Sequence, residues 1–423
     1  MLDKALKGSR GYWGWLFFLT GVMGAGFLAY LYQFQNGLGV TGLSRDVSWG
    51  LYIGQFTFLV GVAASAVMLV IPYYLHDYKK FGKIVILGEF LAISAVTMCI
   101  LFIFVDMGQP MRIMNVVLHP TLNSVMFWDS VVLSGYLFLN LVIGWVTLES
   151  DSKGIKPPQW IKPFIYLSVP WAVSIHTVTA FLYAGIPGRH FWLSAIMAAR
   201  FLASAFAGGP ALLIILALLV RKLTKFDPGK EAIQTLGKIV TYAMFANVFF
   251  LGLEFFTAFY SGIPAHQHAF QYLYAGLDGH NKLVPLMWTS SILAVVALFL
   301  LIFPSFRKKE GVLAFACVSL FISLWIDKGF GLIIGGFVPN MFERVTEYWP
   351  TIPETIITLA VWAAGFFILT VLYKIAVTVR EETAGIEIEQ PTLSLSHETT
   401  HSLLRDIPSA YPLVLVFLPL ARH

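Results

Sequence analysis

The chain has 423 residues, of which 58% are hydrophobic and 12% are charged, and its formal net charge is +5. Soluble domains carry about 25% charged residues, and no soluble core of this size could bury so much apolar side chain. The composition therefore excludes a soluble globular protein and predicts an all-α polytopic protein in the lipid bilayer. We interpret the basic residues as signals of membrane topology, so no nucleic-acid partner is expected.

Segments of roughly 20 apolar residues are long enough to cross a bilayer as α-helices. The sequence contains ten of them, which we number α1 to α10 in chain order. They lie near residues 13–33, 49–75, 84–105, 127–148, 164–186, 191–220, 238–262, 283–303, 311–337 and 353–378. A short basic segment precedes α1 and no small-residue cleavage site follows it, which predicts a retained helix rather than a signal peptide.

The loops between these segments differ in charge. Most lysines and arginines fall before α1 and after α2, α4, α6, α8 and α10. By the positive-inside rule these segments face the cytoplasm, which predicts a multi-pass protein of the cytoplasmic (inner) membrane with both termini inside. Residues 381–423 follow α10, and their apolar stretch 411–420 is too short to span. We expect a mobile cytoplasmic tail there.

Helices α2–α5 and α6–α9 are similar in sequence, near residues 49–187 and 191–339. The segment WGLYIGQFTFL at the start of α2 aligns with WLSAIMAARFL at the start of α6, so Trp49 aligns with Trp192. A Gly-x-Pro break follows both α3 and α7. Units of four helices keep both copies in the same orientation, which is a parallel repeat. We predict two four-helix bundles within a membrane domain of residues 1–380, flanked by α1 and α10.

Charged and titratable residues within the spans are candidates for function, because a charge at bilayer depth costs at least about 2.5 kcal/mol on insertion scales. Asp106 ends α3, Asp129 opens α4, and His176 lies well inside α5. The second copy carries Ser261 and Thr289 near the positions of the two acids. The shared Gly-x-Pro breaks therefore indicate architecture, whereas the acids are particular to the first bundle.

The connection from α3 to α4 adds Arg112, His119 and Trp128 to the two acids. Simpler explanations exist, because an acid near a helix N-terminus can cap it and an interfacial arginine can anchor a helix. Together, an acid, a base, a histidine and an indole at one depth suit a redox-active ring. They offer partners for two carbonyl oxygens, a titratable group for the proton and an aromatic wall.

Five further charges could form a proton path across the membrane. They are Glu89 in α3, Arg200 in α6, Glu254 in α7, and Asp327 and Lys328 in α9. Ion pairs that only hold helices together are the alternative, above all for Arg200 with Glu254.

No prosthetic metal group is expected in this chain. A transmembrane haem needs paired axial ligands on facing helices, commonly histidines, and His176 has no such partner in another span. The two cysteines, Cys99 and Cys317, lie in separate apolar segments and form no Cys-x-x-Cys motif, so we predict neither an iron–sulfur cluster nor another metal site.

The repeat, the segment VDMGQPMR at the end of α3 and the segment HPTLNSVMFWD at the start of α4 resemble the NrfD/PsrC family. Its members are membrane subunits of bacterial and archaeal respiratory complexes. Within this family, the number of helices, ten rather than eight, resembles that of the branch that contains DsrP of the DsrMKJOP complex and the Hmc-type anchors. The resemblance covers about residues 10–380.

The resemblance implies a haem-free subunit of a respiratory oxidoreductase complex, often of anaerobic respiration and sulfur metabolism. It binds a quinone, usually menaquinone, in the outer part of the N-terminal bundle and exchanges electrons with a ferredoxin-like iron–sulfur subunit docked on the outer face. By position in the motifs, the pocket would be lined or neighboured by Asp106, His119, Trp128 and Asp129, with His176 close to it. Some relatives are proposed to translocate protons, which would involve Glu89, Glu254 and Asp327.

Two other functions stay open at this point. A secondary transporter also has an internal repeat and intramembrane charges, although those usually meet near the membrane midplane rather than on one side. A structural anchor without chemistry would leave Asp106 and Asp129 without a role. The one-sided distribution of polar residues favours the quinone-reactive subunit.

Overall fold

The structure is a computed structural model, and it describes residues 2–76 and 78–389. In this part of the chain, ten helices are long and apolar enough to cross a membrane, which confirms the predicted fold class. They are α1 Arg10–Asn36, α2 Leu51–Tyr74, α3 Val85–Asp106, α4 Val125–Ser152, α5 Gln159–Ala184, α6 Met197–Leu223, α7 Lys230–Tyr260, α8 Val284–Ile302, α9 Glu310–Gly335 and α10 Ile352–Thr383. We call the end of the bundle that carries Asp106 the outer end.

Short helices occupy several of the connections between the spans. They are Leu2–Leu6, Leu38–Val40, Lys79–Phe81, Pro110–Arg112, Asn115–Leu118, Pro264–Tyr274 and Pro304–Arg307. The last helix as a whole runs Ile352–Glu389 and so includes residues 381–389 of the predicted tail. The remainder of that tail lies outside the described residues.

The spans α2–α5 pack on one another in one group, and α6–α9 pack in another. Helix α2 packs on α3, α3 on α4 and α4 on α5, while α6 packs on both α7 and α9, and α8 on α9. The two bundles meet where α2 and α5 contact α6 and where α2 contacts α9. At the outer end of this interface the rings of Trp49 and Trp192 lie 6.0 Å apart between centroids, and both contact Tyr183 and Phe337. The two tryptophans that the repeat aligns therefore meet at the junction of the bundles.

Helix α9 is interrupted by a π-helical segment, Asp327–Gly331. A side chain at Gly54 of α2 would collide with the backbone of Gly329, so the two helices can approach closely here because Gly54 has no side chain. A π segment shifts the rotational register of the residues that follow it, and such segments are frequent at functional sites. In this protein the segment begins with Asp327 and Lys328, the two charged residues in the interior of α9.

Candidate functional site

Asp129 lies one turn inside α4 at the outer end of the first bundle. Its side chain is buried, and its Oδ1 accepts a hydrogen bond of 2.6 Å from the hydroxyl of Thr179 in α5. The Thr179 hydroxyl also lies 2.7 Å from the carbonyl oxygen of Ile175, which fixes its rotamer. The carboxyl group of Asp129 is therefore held in one orientation between two helices. Thr179 was absent from the predicted set, although it lies one turn from His176.

Asp106 ends α3 where α1, α2 and α10 approach it. Gln33 of α1 donates a hydrogen bond of 2.7 Å to the carbonyl oxygen of Val105 and accepts one of 2.7 Å from the hydroxyl of Tyr52. The Oδ1 atom of Asp106 and the hydroxyl of Tyr30 are buried, and neither has a hydrogen-bond partner among the described residues. Buried polar atoms are nearly always paired, so two free ones in the same region are unusual.

The two acids share an electrostatic neighbour, Tyr183, at the outer end of the first bundle. Tyr183 of α5 is fully buried and hydrogen-bonds the hydroxyl of Thr57 in α2. Both Asp106 and Asp129 interact electrostatically with Tyr183. We call Asp106, Asp129, Thr57, Thr179 and Tyr183 the outer cluster. Tyr183 is thus influenced by both of the acids that the sequence singled out.

His176 lies deeper in the first bundle, about 12 Å below the outer end of α5 at 1.5 Å per residue. Its side chain is fully buried, and neither ring nitrogen has a hydrogen-bond partner in the part of the chain that the structure describes. Lys328 of the second bundle interacts with it electrostatically. The imidazole therefore faces the junction between the bundles with both nitrogens free.

Arg112, His119 and Trp128 are placed differently from the acids. All three side chains are exposed, and the indole N–H of Trp128 donates a hydrogen bond of 2.8 Å to the carbonyl oxygen of Leu122. The Gly-x-Pro break ends α3 and carries the chain onto the surface before α4 begins. These three residues are therefore close to Asp106 and Asp129 in sequence, but their side chains are not buried with the acids.

Arg200, Glu254 and Asp327 form a buried charge cluster that joins α6, α7 and α9. Nη1 of Arg200 pairs with Glu254, and its Nη2 lies 2.8 Å from both carboxylate oxygens of Asp327. Their side chains are only 5%, 9% and 10% exposed. The pairing of Arg200 with Glu254 that the sequence suggested is present, and Asp327 joins it because the π segment begins there. We call these three residues the charge triad.

Lys328 and Glu89 are not members of the charge triad, although Lys328 interacts electrostatically with Arg200 and Asp327. The ammonium group of Lys328 donates a hydrogen bond of 3.3 Å to the carbonyl oxygen of Phe201 and lies 4.1 Å from the centroid of that ring. Glu89 is at the opposite end of α3, about 25 Å from Asp106 at 1.5 Å per residue. Its two oxygens have no hydrogen-bond partner within the described ranges. The structure therefore does not join Glu89 to the outer groups directly.

Glu354, which the sequence reasoning missed, is fully buried at the outer end of α10. It accepts hydrogen bonds from the hydroxyl of Tyr348, from the backbone N–H of Gly42 at 3.0 Å and from that of Thr351 at 3.3 Å. Thr-x-x-Glu at the start of a helix is a capping box, and this spacing was the available signal. Glu354 also interacts electrostatically with Asp106.

The two cavities that we describe lie in the second bundle. The larger, of about 240 Å³, is enclosed by the α5–α6 connection, α7 and the short helix Pro264–Tyr274. Its lining includes His190, Ser194, Glu254, Thr257, His266 and Phe270. The smaller, of about 10 Å³, lies beside Arg200 and Asp327. The charge triad thus separates one cavity from the other.

Comparison with known proteins gives a family and three informative relatives. The family model described as "Polysulphide reductase, NrfD" matches residues 39–340. A protein of Halobacterium salinarum, named as a candidate membrane component of a dimethyl sulfoxide reductase, is 27% identical over 84% of this chain and 89% of its own length. A component of the selenate reductase of Mesobacillus selenatarsenatis is 22% identical over 75% of this chain and 80% of its own length.

A third relative covers almost the full length of both proteins. The Hdr-like menaquinol oxidoreductase integral membrane subunit of Archaeoglobus fulgidus is 23% identical over 92% of this chain and 99% of its own. The matched region of the family model begins just before α2 and ends just after α9, so it contains both four-helix bundles. The resemblance found in the two motifs is confirmed, and the chain belongs to the NrfD polysulphide reductase family.

Proposed function

We propose that this protein is the haem-free membrane subunit of a respiratory electron-transfer complex and that it binds menaquinone at the outer end of its first bundle. The observation that carries the proposal is the outer cluster. It holds two acids, of which Asp129 is buried and Asp106 is half-buried, and Asp106 Oδ1 and the neighbouring Tyr30 hydroxyl lack a partner among the described residues. A quinol hydroxyl could donate a hydrogen bond to Asp106 Oδ1, and a quinone carbonyl oxygen could accept one from the Tyr30 hydroxyl.

The relatives support this interpretation through the oxidoreductase complexes of which they are named as subunits. One is a subunit of a menaquinol oxidoreductase, and the others are named as subunits of dimethyl sulfoxide and selenate reductases. We propose that this chain holds no redox centre of its own and exchanges electrons with other subunits. We propose that a ferredoxin-like iron–sulfur subunit docks on the outer face and that both termini of this chain lie in the cytoplasm.

The residues of the outer cluster would bind the quinone ring and exchange its protons. Quinol oxidation releases two electrons and two protons, so a nearby group must accept each proton. Thr179 fixes the Asp129 carboxyl group through Oδ1, which is the preorganisation that general-base catalysis requires. Asp106 Oδ1 is the free acceptor, and His176 could carry a proton away from the site. In this proposal Arg112, His119 and Trp128 border the entrance rather than the ring.

We further propose that protons leave or reach this site through the charged residues of the second bundle. Lys328 interacts with His176, and its neighbour Asp327 belongs to the charge triad with Arg200 and Glu254. Glu89 would serve the inner side of such a path. Because about 25 Å of helix separates Glu89 from Asp106, water or further side chains would have to connect them.

The proposal is tested in the purified complex by the rate of quinol-linked electron transfer. We expect Asp106→Asn and Asp129→Asn each to lower this rate by about 100-fold or more, because each removes a proton acceptor. Asp278→Asn is the matched control, since Asp278 is exposed in an outer loop with a left-handed backbone (φ 51°) that asparagine tolerates. Reduction of the partner subunits by an artificial donor should be unchanged in all three variants.

Two results would overturn this function. Wild-type quinol-linked rates in an assembled Asp106→Asn, Asp129→Asn double variant would show that the outer cluster is not the site. Accumulation of a solute down an ion gradient by the chain alone in liposomes, without quinone, would favour a secondary transporter instead.

A further inference from the structure

We propose that the 240 Å³ cavity of the second bundle is a second binding site for a planar quinone ring. It lies at the outer end, as the outer cluster does, but in the other four-helix unit. The inference rests on the proposed function in that the ligand belongs to the same chemical class. Nothing in the resemblance or in the relatives' names assigns a ligand to this half of the molecule.

The lining of the cavity carries the chemistry of a quinone site. His190 and Ser194 belong to the α5–α6 connection, Thr257 to α7 and His266 to the short helix, so hydrogen-bonding groups converge from three elements. Phe270 adds an aromatic surface. Groups on different walls can reach the two carbonyl oxygens of a para-quinone, which point in opposite directions from the ring.

The two histidines lie together at the cavity. The ring centroids of His190 and His266 are 5.8 Å apart. Burial and the neighbouring His190 lower the pKa of His266. A neutral imidazole both donates and accepts a hydrogen bond, so it can bind either a quinone carbonyl or a quinol hydroxyl.

The floor of the cavity supplies a group for proton exchange. Glu254 lines the cavity and is also a member of the charge triad, where it pairs with Arg200. Among the described residues, neither acid of the outer cluster forms an ion pair, whereas Glu254 is held by the guanidinium group of Arg200. The two sites would therefore differ in how readily they give up or accept a proton.

The position and size of the cavity fit the ring of a lipid-soluble ligand. Leu193 in its wall is 64% exposed, and Phe256 and Phe259 next to it on α7 are 62% and 45% exposed. Exposed apolar side chains on a membrane-spanning helix face lipid, so a ring can enter from the outer leaflet while its apolar tail stays there. Drug-sized ligands need roughly 300–1,000 Å³, so this cavity has room for a ring but not for a whole quinone.

Photoaffinity labelling of the purified complex with an azido-naphthoquinone tests the proposal, with labelled peptides identified by mass spectrometry. We expect two labelled regions, one in the first bundle and one within residues 190–196 or 254–270. Excess unlabelled menadione should protect both regions. Ala258→Phe places a ring in the cavity and should lower labelling of the second region at least tenfold, while labelling of the first is kept.

Two further variants keep the test decisive. Ala199→Phe, on an exposed position of α6, is the matched control and should label like wild type. If Ala258→Phe does not assemble, His190→Ala combined with His266→Ala removes two lining imidazoles near the surface and should lower labelling of the second region by the same factor.

The outcomes separate this inference from the proposed function. If protected labelling is confined to the first bundle, the second site is overturned and the proposed function is left intact. The same conclusion follows if residues 190–196 or 254–270 are labelled but none of the cavity variants changes that labelling. Labelling confined to the second region supports the second site and overturns the proposed location of the first. No protected labelling anywhere in an assembled complex overturns both.

Discussion

Replacing Arg200 tests whether the charge triad stabilises the second bundle. Arg200 is the only base that we find in contact with Glu254 and Asp327 within the described residues, and all three side chains are at most 10% exposed. Arg200→Met keeps the apolar stem of the side chain and removes three donor contacts to two buried carboxylates. Removing one partner of a buried ion pair costs about 3–5 kcal/mol, so we expect the free energy of unfolding to fall by that amount.

The assay is equilibrium unfolding of the purified chain in mixed micelles by titration with sodium dodecyl sulfate, followed by tryptophan fluorescence. Arg344→Met, at an exposed outer position, is the control and should change the free energy of unfolding by less than about 0.5 kcal/mol. The triple variant Arg200→Met, Glu254→Gln, Asp327→Asn should recover most of the loss, because neither Glu254 nor Asp327 is then left as a buried carboxylate without its guanidinium partner. Wild-type stability of Arg200→Met alone would refute the reasoning, since it would mean that the two acids do not depend on the guanidinium group.

Three smaller predictions follow from single contacts. Thr179→Val removes the hydroxyl that holds Asp129 and should destabilise the protein by about 1–3 kcal/mol and slow quinol-linked electron transfer, whereas Thr177→Val, whose hydroxyl contacts only its own helix, should do neither. The two carboxylate oxygens of Glu354 accept hydrogen bonds from three donors, and Glu354→Gln leaves only one acceptor oxygen for them. Amide hydrogen exchange should therefore become faster in residues 38–50, and unchanged exchange there would contradict the role of Glu354. Partial burial alone would raise the pKa of Glu347, but hydrogen bonds from Lys282 and His280 outweigh it and hold this pKa below its ordinary value. The stabilisation is therefore complete above the ordinary pKa of about 4.3 and is lost as pH falls through the folded value, so wild type should lose more stability than Glu347→Gln between about pH 5 and pH 3.

The spans could be predicted from the sequence because each depends on a local property. About 20 apolar residues fix a helix in lipid, and basic loops fix its direction, without reference to any other part of the chain. The predicted ends agree with the structure to within a few residues for most helices. The contact between Trp49 and Trp192 at the bundle interface, by contrast, is a finding of the structure, because the repeat only aligned the two residues.

The arrangement of the site could be predicted only in part, because it depends on helix rotation and on the connections. Asp106 and Asp129 were found as charges that lipid disfavours, but their neighbour Thr179 carries no such signal. Arg112 was grouped with them by closeness in sequence, yet the chain turns onto the surface after the Gly-x-Pro break and leaves its side chain exposed.

The contacts of Asp327 in the second bundle and the burial of Glu354 in α10 could not be predicted from the sequence either. Asp327 reaches Arg200 from a π segment, and the register of such a segment is not encoded in apolar periodicity. Glu354 was overlooked because an acid at the start of a helix is ordinary, although its burial beneath Tyr348 and Gly42 is not. Long-range packing, rather than local sequence, decides both cases.

The most direct test of the central claim is an electron cryomicroscopy map of the assembled complex saturated with a menaquinol analogue. The proposed function predicts density for a bicyclic ring at the outer cluster, with a ring oxygen within about 3.2 Å of the carboxyl group of Asp106 or Asp129. Closely packed side chains at both carboxyl groups, with no ring beside either of them in a complex that oxidises the analogue, would contradict it.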